Sequence, residues 1–123
     1  MDRSYLIPFP QLISESIDLV DEWTSNSIKA GFKFDNHLFS MSENAQINWS
    51  NIQNLPESLF PLTLGCKDNN VYVLTYEKLN DFYNTSLMFK MSLLKRGTDV
   101  KQQILKCTKV SEVLDVLEAN IKY

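Results

Sequence analysis

From Tyr76 to about Lys106 the chain carries apolar residues at three- and four-residue steps, the spacing of one long amphipathic helix. A helix of that length must lay its apolar side on something, so the rest of the chain has to supply a layer against it. Leu79, Phe82, Tyr83, Leu87, Phe89, Leu93 and Leu94 form the band, thickened by Met88 and Met91. The stripe resumes at Val100, Ile104 and Cys107 beyond Gly97-Thr98, where the spacing predicts a bend or a break. Through Cys107-Thr108-Lys109 the chain enters a closing helix headed by Ser111, which should bury Val113, Leu114, Leu117 and Ile121.

The remaining segments supply the partner layer. Between Gln11 and Ala30, Leu12, Ile13, Ile17, Val20, Trp23 and Ile28 make a second helical stripe, with Gly31 placed to end it in a left-handed cap. Phe32 to Ser40 alternates large residues around Asp35-Asn36, a pair that tolerates the positive φ of a tight turn, and reads as a β-hairpin. Ser42 is placed to cap a short helix through Ala45, Ile47, Trp49 and Ile52, which Pro56 ends. A second hairpin pairs Leu62–Cys66 with Val71–Thr75 across the polar tip Lys67-Asp68-Asn69-Asn70, and Thr75 is positioned to cap the long helix. The expected architecture is α+β: a small antiparallel sheet of two hairpins with about four helices, the last two forming a C-terminal helical hairpin. Residues 11–123 are expected to form a single α+β domain, of a size that holds one modest core.

Residues 1–10 read as an extended arm, because Pro8 and Pro10 disfavour a helix there. Tyr5, Leu6, Ile7 and Phe9 make the arm too apolar to stand free in water. It should pack on its own domain or on a neighbour's, and these four residues are the candidate protein contacts.

Chemistry is thinly represented. His37 is the only histidine and sits by a hairpin tip, so it reads as an exposed turn residue; neither a triad nor a metal set is apparent by spacing. The glycines Gly31, Gly65 and Gly97 are too far apart for a phosphate-cradling loop. Asp18, Asp21 and Glu22 lie on the polar side of the first helix, where solvation accounts for them better than acid–base work. Phe32, Phe34, Phe39 and Trp49 would serve as a stacking platform for single strands only beside a basic groove. Lys33 and Lys67 are a thin supply, and core packing is the better reading. The net charge of −3 provides no pull toward nucleic acid. Cys66 and Cys107 form no C-x-x-C pair and read as buried reduced thiols. No window suggests a membrane span or a signal peptide, so the expectation is synthesis and folding in a cytoplasm, where Asn48-Trp49-Ser50 and Asn84-Thr85-Ser86 carry no glycan. The expectation is no catalysis, no metal and no cofactor.

A resemblance adds to this reading. Phe34-Asp35-Asn36-His37-Leu38-Phe39, then Asp68-Asn69-Asn70-Val71-Tyr72-Val73-Leu74-Thr75, Leu79-Asn80-Asp81-Phe82, Leu93-Leu94-Lys95 and the close from Ile104 to Leu114 follow an order of motifs found elsewhere. That order resembles a domain of uncharacterised function in tail and tail-fibre proteins of bacteriophages. This chain departs from the pattern at Gly97-Thr98-Asp99, where the long helix of the family usually runs on. The resemblance implies a structural part of a phage particle, at the tail, a tail-fibre attachment or the head–tail junction. Its partners would be other virion proteins or further copies of itself, with no nucleic acid and no membrane. It would be assembled in the host cytoplasm. The alternative is a small cytoplasmic phage-encoded regulator that binds a host protein.

Overall fold

The computed structural model describes residues 7–121. It is α+β, in the order α1 (Phe9–Lys29), β1 (Phe32–Phe34), β2 (His37–Phe39), α2 (Glu43–Asn51), β3 (Leu62–Gly65), β4 (Val71–Leu74), α3 (Leu79–Leu105) and α4 (Val110–Asn120). These residues fall into two compact units, with the divisions inside α1 after Ser25 and inside α3 after Ser92.

The first unit takes the earlier part of α1, the later part of α3, and α4. Its core is Leu12, Val20, Val100, Ile104, Val113, Leu117 and Ile121, all buried, with Phe9, Ile13, Ile17 and Trp23 packed against it. Leu114 is half-buried beside Val113 and Leu117, the two buried residues of α4, and Ile121 just beyond the helix is buried as well. The prolines do not keep the chain extended as far as residue 10: α1 begins at Phe9, and Leu12 N–H donates to Pro8 O at 3.0 Å. Pro10 sits in the first turn, where its missing N–H has no intrahelical acceptor to lose and its fixed φ suits a helix.

Gly97 does not break α3, which is continuous from Leu79 to Leu105. The glycine is buried, and a side chain there would run into Thr24 of α1, its Cβ lying 3.3 Å from Thr24 Cγ2 and closer still to Oγ1. Its role is close approach between helices, which outweighs its poor propensity. Arg96 lies over the Trp23 ring at 5.3 Å and Lys101 pairs with Asp21 at 2.8 Å, adding polar links on the same flank.

The expected cap of α4 shifts by two residues. Lys109 occupies the cap position, Ser111 lies inside the helix, and Glu112 reaches back to accept from Thr108 N at 2.9 Å and Thr108 Oγ1 at 3.0 Å. A carboxylate three residues into a helix does this work well, because it also meets the positive end of the helix dipole.

The second unit, residues 26–92, holds both hairpins and α2. Asp35 and Asn36 have φ of 48° and 64°, the left-handed pair that a two-residue hairpin requires, and Phe34 pairs with His37 across them. Gly31, at φ 101°, leads into β1, and a side chain there would collide with Phe39 O. Ser42 caps α2 by accepting from Ala45 N at 3.2 Å. Thr75, in contrast, caps nothing with its side chain: its carbonyl accepts from Lys78 N at 3.1 Å to open a short 3₁₀ turn, Tyr76–Lys78, ahead of α3.

The two hairpins do not merge into one sheet. Each is its own two-stranded antiparallel sheet, and one backbone bond joins them, from Lys67 N–H to Leu38 O at 2.8 Å. Lys67 lies in the β3–β4 turn, past the end of its ladder, so one bond forms where a strand edge would have formed several. Aromatic rings fill the space around Phe82, which is fully buried. Its ring centroid lies 5.0 Å from those of Phe39 and Trp49 and 5.3 Å from that of Phe34, in edge-to-face contacts. Trp49 also donates its indole N–H to Ser40 O at 2.8 Å. Phe32 and Phe39 are therefore core residues, with no ring face to offer a base.

Candidate functional site

Two features of the second unit stand out from ordinary packing. The first is on α3. Leu87, Met88 and Met91 fall at one- to four-residue steps on one side of the helix and are 40%, 66% and 51% exposed. Asn84, Thr85, Met88, Phe89 and Ser92 line a shallow, largely apolar groove on that helix. The band that the sequence displays is thus incompletely covered: Phe82 goes to the core while the methionines face outward. Unbranched thioether side chains adapt their shape to whatever covers them.

The second feature lies where the hairpins meet. His37 ends the first turn, Cys66 follows β3, and Asp68 sits in the second turn. An imidazole nitrogen of His37, Cys66 Sγ and an Asp68 carboxylate oxygen all lie within 4.8 Å of one another. Nδ1 stands 3.5 Å from Asp68 Oδ2, is buried, and makes no hydrogen bond. The surrounding turn is tightly tied. Cys66 N donates to Asn70 O at 2.9 Å, Asn69 N to Cys66 O at 3.2 Å, and Asn70 N to Asp68 Oδ1 at 3.1 Å. The backbone bond from Asn70 does most to hold the Asp68 carboxyl below its usual range, while burial and then the Asp68 charge push the Cys66 thiol up. Lys67 anchors the same turn from the other side, its ammonium donating to Ala30 O at 3.1 Å.

Beside this cluster, Asp35 accepts from Lys78 Nζ at 2.7 Å and from the Tyr72 hydroxyl. The Lys78 bond, then the Tyr72 bond, lower the Asp35 carboxyl; burial and the Asp35 bond raise the Tyr72 phenol. This network fastens the first turn to β4 and to the 3₁₀ turn ahead of α3, with the Tyr72 ring 5.5 Å from His37.

The residues singled out from the sequence are distributed as follows. Tyr5 and Leu6 lie outside the described residues. Ile7 is half-buried, and Phe9 packs on the core of its own unit. Asp18, Asp21 and Glu22 are exposed, Asp21 being paired with Lys101. His37 is half-buried rather than exposed, and both cysteines are half-buried free thiols rather than fully buried ones. Cys107 donates weakly to Gln103 O at 3.3 Å. The meeting of His37 with Cys66 and Asp68 escaped the sequence reading because the donors come from different hairpins. The lone bond between Lys67 and Leu38, which sets their register, leaves no local pattern.

Among the described residues no helix is long and apolar enough to cross a membrane. The chain was compared with protein-family models, curated proteins and solved structures, and none matches.

Proposed function

We propose that this chain is a non-catalytic structural component of a phage particle that holds neighbouring virion proteins. The observation that carries the protein-contact reading is the outward row Leu87, Met88 and Met91 beside its shallow groove. Large apolar side chains grouped on one helix face are costly in water and mark a surface that another protein covers. Adaptable methionines at the centre of such a patch are typical of helix-binding grooves. The phage setting rests on the resemblance from Phe34 to Leu114. Phe9 is engaged with the core of its own unit, and we propose the exposed row on α3 as the contact surface.

The test is association in an infected-cell extract. A photo-crosslinking residue at position 84, on the same groove, should capture virion subunits, and adding Met88→Asp with Met91→Asp should abolish capture while the far-UV circular dichroism stays unchanged. Capture of a host enzyme or regulator instead, with no virion protein, would replace this reading with that of a phage-encoded regulator.

A further inference from the structure

We propose that His37, Cys66 and Asp68 form a binding site for a zinc-type divalent transition-metal ion, with solvent in the fourth position. The donor set is one imidazole nitrogen, one thiol sulfur and one carboxylate oxygen, all within 4.8 Å of each other. That mixture suits a borderline-soft ion. It is wrong for calcium or magnesium, which take oxygen donors almost exclusively.

The spacing is close to what such an ion needs. Bonds of roughly 2.0–2.3 Å at tetrahedral angles put neighbouring donor atoms about 3.3–3.8 Å apart. His37 Nδ1 and Asp68 Oδ2 stand at 3.5 Å, with no hydrogen bond between them. A histidine nitrogen buried without a partner is costly unless something else satisfies it. An ion held between Nδ1, the Cys66 Sγ and Oδ2 would satisfy it.

The surroundings orient the donors in the way metal sites require. Asp68 Oδ1 accepts from Asn70 N–H, which leaves Oδ2 toward His37. The Lys67–Leu38 backbone bond fixes the second turn against the strand that carries His37. On binding, the thiol proton passes to solvent and the thiolate bonds the ion; no oxidant or reductant is involved. The bound ion would clip two hairpins that otherwise share a single backbone bond.

The test uses the full chain, reduced, titrated with Co²⁺ as a spectroscopic probe and then with Zn²⁺. The expected result is saturation at one ion per chain, with a thiolate-to-cobalt charge-transfer band that Zn²⁺ displaces. Cys66→Ser should abolish that band and Cys107→Ser should leave it intact. His37→Ala and Asp68→Asn should each weaken Zn²⁺ affinity at least tenfold, with unchanged far-UV circular dichroism. No charge-transfer band in the parent chain, a band that survives Cys66→Ser, or equal affinity in His37→Ala would each overturn the assignment.

Discussion

Replacing Gly97 by alanine sets two effects of known sign against each other. In an open helix interior the change stabilises by about 1 kcal/mol, the propensity difference between the two residues. Here the new methyl would sit 3.3 Å from Thr24 Cγ2 and 3.4 Å from Thr24 Cβ, and inside the contact radius of Thr24 Oγ1. Thr24 has little room to yield, being 8% exposed with its hydroxyl donating to Val20 O at 2.8 Å. Overpacking of that kind costs about 1–3 kcal/mol, so Gly97→Ala alone should lose about 0–2 kcal/mol. Thr24→Ala removes Oγ1 and Cγ2 and leaves only the ordinary Cβ contact. In that background Gly97→Ala should gain up to about 1 kcal/mol, giving a coupling of about 1–3 kcal/mol in the double-mutant cycle. Urea denaturation of the four proteins, followed by far-UV circular dichroism, measures it. Effects that add to within about 0.3 kcal/mol would refute the close approach of α1 and α3 at this point.

Phe82→Ala should cost about 3–5 kcal/mol in urea denaturation and collapse the near-ultraviolet signal of Trp49, because Phe82 is the ring on which Phe34, Phe39 and Trp49 converge. At the first hairpin turn, Asn36→Gly should preserve or raise the thermal midpoint. Asn36→Val should cost about 1–2 kcal/mol, since a branched residue resists the φ of 64° found there. Glu112 carries a pH-dependent contribution. Its bonds from Thr108 N and Oγ1 lower the folded-state pKa below the ordinary value of 4.5. The stability it adds is therefore fully present above pH 4.5 and is lost as pH falls through the lower folded value. Glu112→Ala should leave a smaller drop in thermal midpoint across that acid range than the parent shows. Met88→Asp and Met91→Asp should each shift stability by less than about 0.5 kcal/mol, because both side chains are already mostly in water.

Where the structure follows from neighbours in the chain, the sequence is an adequate guide. The alternation around Asp35-Asn36 specifies a hairpin, Ser42 specifies a cap, and Gly31 specifies a left-handed stop, each through backbone groups a few residues away. Errors arise where several nearby groups compete. Ser111 and Thr75 are good caps by type, yet Glu112 and a 3₁₀ turn satisfy the helix starts instead. Pro10 looks like a barrier to helix until its place in the first turn is known. Gly97 reads as a defect because its reason, Thr24, lies on another helix. The same distance in sequence hides the site at the hairpins: nothing local in Phe34-Asp35-Asn36-His37 announces Cys66 or Asp68. Exposure of Met88 and Met91 was equally hidden, since periodicity marks a helix as broad-banded without saying which part stays uncovered.

Quantitative peptide mass spectrometry on purified particles, from cells in which a phage carrying this gene is growing, tests the central claim most directly. The proposed function requires peptides of this chain at a fixed ratio to other particle proteins, a ratio that Met88→Asp with Met91→Asp reduces sharply. Peptides abundant in the infected-cell extract but missing from the particles would contradict it.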